Sequence, residues 1–165
     1  MTGERALVVE ITRLEAAHLA GLIRQFADLL DDTASPADDS AIGRLVPDAY
    51  VDDADSAREF RGLTERDLLE RRRSDATTVL ESLRDPAEIP DDPEDPALFE
   101  TVEIVLDRNC VQAWLRTLAA VRLVLADRLG IDTAEDHDDE DPRFGIYDWL
   151  GYRLHGLVTA IDDDA

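Results

Sequence analysis

The chain has 165 residues, 44% of them hydrophobic, and carries 39 acidic against 17 basic side chains, for a formal net charge of −22. This length suits one domain with a sizeable core, so we expect a single domain over residues 1–165. The negative charge disfavours direct binding of nucleic acid or of anionic membranes, because the field around the chain repels both.

All 17 basic residues are arginines, which excludes P-loop lysines, Schiff-base chemistry and a lysine general base. The sequence also lacks GxGxxG, GxSxG and HExxH motifs. The N-terminal residues 1–11 lack the pattern of a signal peptide, and the most apolar stretch, 118–126, is interrupted by Arg122. We therefore expect a cytoplasmic protein, with no enzymatic activity, cofactor or membrane contact.

The first elements are a strand and a long helix. The β-branched run 6–11 predicts the strand, and Thr12 and Glu15 then form a capping box, the start signal of a helix. Apolar residues at helical spacing continue to Leu30. An acidic loop is expected over about 31–41.

The middle of the chain predicts two helices and a loop. The chain turns through a proline between Leu45 and Tyr50, and a short helix is expected over Asp55–Arg61. A second capping box, from Thr64 to Asp67, predicts the start of another helix that runs to about Leu83. Four prolines within 85–97 exclude an α-helix, so an acidic loop is expected over 85–99.

The last third repeats the order of strand and helix. Residues 101–107 predict a second strand, and Asp107 caps a helix that continues to Leu129. An acidic loop over 132–142 precedes a final helix over 144–161. The expected fold is mainly α, a helical bundle with a small two-stranded β ribbon made by the two strands.

The helix 108–129 is expected to be the centre of the bundle, with Trp114 buried. Its apolar residues cover nearly the whole circumference. Arg122 lies inside the apolar arc, where a guanidinium needs a carboxylate partner. A buried ion pair that fixes helix packing is the favoured interpretation, and a ligand-binding arginine is the alternative.

Cys110, the single cysteine, excludes a disulfide framework and fits a reducing cytosol. It falls in the first turn of the helix capped by Asp107, where backbone N–H groups favour a thiolate. Cysteines are also among the residues most often buried. Inert core packing and a redox-active thiol both remain open.

Glu15 and His18 have the Glu-x-x-His spacing of di-iron helical bundles. A di-iron site needs a second such pair, and the nearest analogue has Tyr152 in place of the glutamate before His155. A solvated histidine is therefore favoured and no metal is expected. A metal-dependent helical enzyme remains the alternative function.

The densest basic stretch contains Arg71, Arg72 and Arg73, which cover about 200° of a helix and so cannot form one patch. Arg72 falls within the apolar arc. The favoured interpretation is helix packing with ion pairs inside the helix, with a protein-partner contact next and DNA contact last. The candidate partner contacts are Arg58, Arg61, Arg66, Arg71 and Arg73.

Several longer segments are more specific in combination. They are RLVPDAYVDDADSAREFRGLTERDL, AWLRTLAAVRLVLADRLGI and YDWLGY. Their order and spacing resemble an actinobacterial family known as domain of unknown function 2017, also described as the oxidative-stress transcriptional regulator AosR family. The resemblance covers nearly the whole chain except two acidic loops.

The resemblance implies a non-enzymatic regulator of transcription in the oxidative-stress response. It implies a protein partner, such as an RNA polymerase sigma factor. A homodimer is a further candidate assembly. An adaptor without a redox role is an alternative function. Redox sensing in the family relies on a cysteine pair. Because Cys110 has no second cysteine to pair with, a redox role here would require an intermolecular disulfide or a sulfenic acid.

Overall fold

The computed structural model describes residues 6–32, 39–45, 54–131 and 140–164; within these, the side chains of residues 54–64, 143 and 164 are outside the description. The order of elements is β1 (Leu7–Thr12), α1 (Arg13–Asp32), α2 (Ser40–Leu45), α3 (Ala54–Ser82), β2 (Thr101–Leu106), α4 (Arg108–Leu129) and α5 (Gly145–Asp164). Short 3-10 helices precede β2 and α5. The fold is mainly α with a small β ribbon, as the sequence predicts.

The two strands pair antiparallel, from Leu7 opposite Leu106 to Thr12 opposite Thr101. Side chains alternate between the two faces of the ribbon, because successive residues of a strand point to opposite sides. Ile11, Ile104 and Leu106 are buried in the core, whereas the other face is exposed. The predicted ribbon is confirmed.

The predicted capping box starts α1. The backbone N–H of Thr12 donates to Oε2 of Glu15 at 3.1 Å, and the N–H of Glu15 donates to the Thr12 hydroxyl at 3.2 Å. These bonds satisfy backbone donors that the first helical turn leaves without partners. The strand therefore passes directly into the helix.

Helix α4 is the centre of the fold and packs against α2, α3 and α5. Asp107 caps its start by accepting from the N–H of Cys110 at 2.8 Å, and Gly130 ends it in the left-handed region at φ 75°. Trp114 is 2% exposed, as expected. The helix is not covered all round, however, since Leu123 is 36% exposed.

Helix α3 differs from the prediction of two helices. It runs unbroken from Ala54 to Ser82, so the predicted start at Thr64 is wrong. The residues before Thr64 are mostly good helix formers, and the single Gly62 costs only about 1 kcal/mol in a helix. A capping sequence starts a helix only when the preceding chain is not already helical.

Helix α2 is not predicted: it begins at the end of the predicted acidic loop and ends where the predicted turn begins. Asp39 accepts from the N–H of Ala41 at 2.9 Å, and Ile42 and Leu45 are buried. Docking against α4 stabilises this helix, which is too short to form alone.

The acidic segment 85–99 contains no α-helix, as its prolines predict, but it ends in a 3-10 helix over Pro96–Phe99. Asp95 caps this turn, and Leu98 is buried. The loop is therefore attached to the core. Of the other two predicted acidic loops, residues 33–38 and 132–139 lie outside the described residues.

Arg122 is half-buried between α4 and α5, but its contacts are not the expected ones. Its Nε donates to the carbonyl of Tyr147 at 3.2 Å, and its guanidinium carbon lies 3.9 Å from the centre of the Tyr147 ring. No carboxylate of the described residues lies within ion-pair distance. The carbonyl and the ring serve as acceptors instead, at lower desolvation cost than a buried ion pair.

The guanidinium of Arg122 also lies flat against Gly151 of α5. A Cβ atom at position 151 would be 2.9 Å from one terminal nitrogen of Arg122. The missing side chain therefore permits α5 to approach α4 closely.

Within the described ranges, no helix combines the length and apolarity needed to cross a membrane.

Candidate interaction surfaces

The arginines of α3 do not form one surface. Arg66 and Arg71 are exposed and make no ion pair with a described residue. Arg58 and Arg61 belong to the helical backbone, but their side chains lie outside the described residues. A contact of these residues with a partner stays a prediction.

Arg72 and Arg73 contact other helices of the bundle. Arg72 donates to the carbonyl of Arg116 at 3.4 Å, and burial lowers its pKa although the nearby Asp75 opposes this change. Nε of Arg73 lies 2.6 Å from the Asp31 carboxylate at the end of α1, an ion pair that leaves both side chains partly exposed. Both arginines therefore pack between helices, but the described residues show no ion pair within α3 at either position, so the predicted intrahelical pairs are wrong here. A partner contact of the partly exposed Arg73 stays a prediction.

The thiol of Cys110 is half-buried at the start of α4. Burial raises the pKa of the thiol and the nearby Asp107 adds to this, while the neighbouring polar groups of Ser82 and Trp114 act in the opposite direction. The raised pKa means that little thiolate is present at neutral pH, despite the helix N-terminus. The geometry favours core packing over a redox-active thiol.

The Glu15 carboxylate is already engaged. Besides the Thr12 N–H, its Oε2 accepts from Arg153 of α5 at 2.7 Å, while His18 points to solvent. Within the described part of the chain, no three His, Cys, Asp or Glu side chains are grouped as metal ligands. Among the described residues, the Glu15–His18 pair is therefore not joined by the further ligands that a di-iron site needs.

A groove of about 600 Å³ runs between the outer edge of β1 and helix α5. We call it the edge groove, and its lining residues are Leu7, Val8, Val9, Glu10, Glu103, Arg153, Gly156, Leu157 and Ala160. The lining exposes apolar and polar atoms alike, and its two glutamates, Glu10 and Glu103, are exposed. None of these described lining residues carries a nucleophilic hydroxyl, thiol or imidazole.

Arg153 closes one end of the edge groove. One terminal nitrogen donates to the carbonyl of Glu10 at 2.9 Å and the other to the Glu15 carboxylate at 2.7 Å. Its guanidinium carbon lies 5.7 Å from the centre of the Trp149 ring. Arg153 thus attaches α5 to both β1 and α1.

No local pattern in the sequence predicts this groove. Arg153 and Glu10 are 143 positions apart in the chain, so no local spacing pattern links them. One signal was available: a two-stranded ribbon always leaves both outer edges without a strand partner.

This arrangement defines a class of small, mainly α protein with an antiparallel ribbon and an open groove beside one strand. The family model described as "Domain of unknown function (DUF2017)" matches residues 1–161. The chain belongs to that family. No curated protein and no solved structure matches it.

Proposed function

We propose that the protein is a non-enzymatic regulator that acts through protein–protein contacts. The observation that carries this proposal is the edge groove, whose described lining offers backbone, apolar side chains and fixed charge but no hydroxyl, thiol or imidazole and no grouping of three metal-binding side chains. Such a lining suits binding of a polypeptide.

The partner that we propose is a component of the transcription machinery, such as an RNA polymerase sigma factor. This part rests on the resemblance of segments such as YDWLGY to oxidative-stress transcriptional regulators. The charge of −22 supports it, since an acidic surface suits the basic faces that nucleic-acid-binding proteins carry. In this proposal Cys110 is not the sensor, because burial raises the pKa of its thiol and so disfavours the reactive thiolate.

The test is direct binding with purified components. Immobilised full-length protein is exposed to individual sigma factors and to core RNA polymerase from the same organism, with and without peroxide. We expect at least one to bind with a Kd of about 10 μM or tighter at physiological salt. A Cys110→Ser variant should bind equally well.

Two results would contradict the proposal. One is the absence of binding to every transcription component tested. The other is stoichiometric iron or manganese in the purified protein by elemental analysis, which would favour the metal-dependent enzyme built on Glu15 and His18.

A further inference from the structure

The backbone of β1 has an outer edge that faces the edge groove. The N–H of Arg13 donates to the carbonyl of Glu100 at 3.0 Å, which continues the ladder in the register of the ribbon. Along an antiparallel pair of strands, residues whose N–H and C=O groups bond to the partner strand alternate with residues whose groups do not. Consequently Val8, Glu10 and Thr12 direct their N–H and C=O groups away from β2.

Only part of this outer edge is occupied. The Thr12 N–H donates to Glu15, and the Glu10 carbonyl accepts from Arg153. The N–H of Glu10 and both backbone groups of Val8 make no hydrogen bond to another described residue. An exposed strand edge of this kind is a template for a further strand.

The edge groove has the shape that an added strand requires. Four consecutive β1 residues line it, a length of about 13 Å at about 3.3 Å per residue. The apolar side chains of Leu157 and Ala160 form the opposite wall. Gly156 has no side chain and leaves open space beside them. Alternate side chains of an extended peptide would contact this wall.

The charges at the edge groove indicate which kind of polypeptide segment would bind there. Glu10 and Glu103 are direct cross-strand partners on the exposed face, a placement in which like charges repel. A basic side chain opposite Glu10 would relieve this repulsion. A second copy of the chain would instead bring the same two glutamates and a further charge of −22.

We propose that the edge groove binds an extended, basic segment of a partner protein, which adds to β1 as a third strand. Val8 exchanges two backbone hydrogen bonds with the segment, and Arg153 marks the end of the pairing. Apolar residues of the segment alternate with arginine or lysine. This inference rests on the proposed function, because it specifies how a protein partner binds.

The test uses a labelled octapeptide of alternating valine and arginine, with fluorescence anisotropy at physiological salt. Val8→Pro removes the outward N–H while leaving the β1–β2 ladder intact. Gly156→Phe fills the groove at a position where a Cβ meets no neighbouring atom within 4 Å. Each variant should weaken binding by at least about tenfold, since backbone pairing supplies much of the affinity.

Matched controls accompany each variant. Val105→Pro makes the same change directly across the ribbon, where the N–H faces the other edge. Gly21→Phe is the equivalent helix substitution on α1, also with open space around its Cβ. Both controls should bind like the unmodified protein, and circular dichroism verifies that each variant folds; if Val8→Pro does not fold, Gly156→Phe decides.

The charge is tested in the same assay. Glu10→Gln with Glu103→Gln should weaken peptide binding, whereas Glu70→Gln with Glu81→Gln, which alters net charge equally at exposed positions of α3, should not.

Four results would overturn the inference: no binding of the octapeptide, equal binding to the groove variants and their controls, equal binding of a peptide whose valines are replaced by proline, or a dimer that Val8→Pro dissociates. The last would assign the groove to a second copy. A sigma factor that binds the Val8→Pro and Gly156→Phe variants unchanged would overturn this inference while the proposed function stands.

Discussion

The buried indole of Trp114 has a hydrogen-bond partner in the small side chain of Ser82. Its Nε1–H donates to the Ser82 hydroxyl at 2.9 Å, and that hydroxyl donates to the carbonyl of Val79 at 2.6 Å. Since Trp114 is 2% exposed, water has little access to its N–H. The serine at the end of α3 therefore supplies the acceptor that burial of an indole requires.

We expect Ser82→Ala to lower the free energy of unfolding by about 1 to 3 kcal/mol, the usual cost of leaving a buried donor without an acceptor. Thr77→Ala removes another hydroxyl of α3 that bonds only to a carbonyl of its own helix. That control should change stability by less than about 0.5 kcal/mol. Urea unfolding followed by circular dichroism measures both, and equal effects would show that the indole N–H needs no partner.

At the scale of elements, α2 is held to the end of α4 by side chains from both. Nε of Arg44 lies 3.2 Å from the Asp127 carboxylate, and Ser40 donates to the same carboxylate at 2.7 Å. In the other direction, Arg128 donates to Asp39, the residue that caps α2, at 2.6 Å. Three contacts, two to Asp127 and one to Asp39, therefore fix a helix of only six residues.

Asp39 should make this attachment dependent on pH. The hydrogen bond from Arg128 lowers the pKa of Asp39, and the N–H groups of Ala41 and Ile42 add to the effect against some opposition from burial. A lowered pKa in the folded state means that the ionised form stabilises the fold. That contribution is complete above the usual pKa of an aspartate and disappears as the pH falls through the lowered value.

Asp39→Ala should therefore destabilise the protein by about 1 to 2 kcal/mol near neutral pH, from the lost cap and the lost ion pair. Asp39→Asn should cost less, because asparagine also caps helices. Thermal unfolding from neutral to acidic pH should show the difference between wild type and Asp39→Ala shrinking in acid. Asp28→Asn, at an exposed position of α1, is the control, and a difference independent of pH would refute the assigned role.

The elements differ in how far sequence predicts them. Local patterns alone predict the long helices that have one apolar face. They also predict the strands of β-branched residues that lie beside capping motifs such as that of Thr12 and Glu15. The continuity of α3 and the existence of α2 do not, because both depend on packing against α4. The groove could not be found for the same reason: Arg153 reaches Glu10 only after the bundle has formed.

For the molecule as a whole, charge is the dominant property. With 39 acids against 17 arginines, and with Arg72 and Arg73 engaged by other helices, the described surface offers DNA only scattered positive charge. The release of counterions that drives non-specific DNA binding needs a basic face. Repulsion from DNA acts over the longest distance at low salt.

We expect the purified protein to show no sub-micromolar binding to DNA in a mobility-shift titration at physiological salt. Arg66→Glu with Arg71→Glu should not change this result. Sequence-selective, sub-micromolar binding that these two substitutions abolish, while Arg24→Glu with Arg84→Glu leaves it intact, would show that α3 contacts DNA.

The ribbon also has a consequence for the order of folding. Thr12 pairs with Thr101, about 90 residues further along the chain, so the two strands must close a long loop before they can meet. Pairing at such distance is slow unless helices form first and shorten the loop. The outer edge of β1 therefore acquires its final form only when α1, α3 and α4 have assembled. A partner that recognises this edge would bind the finished protein and ignore a nascent or unfolded chain.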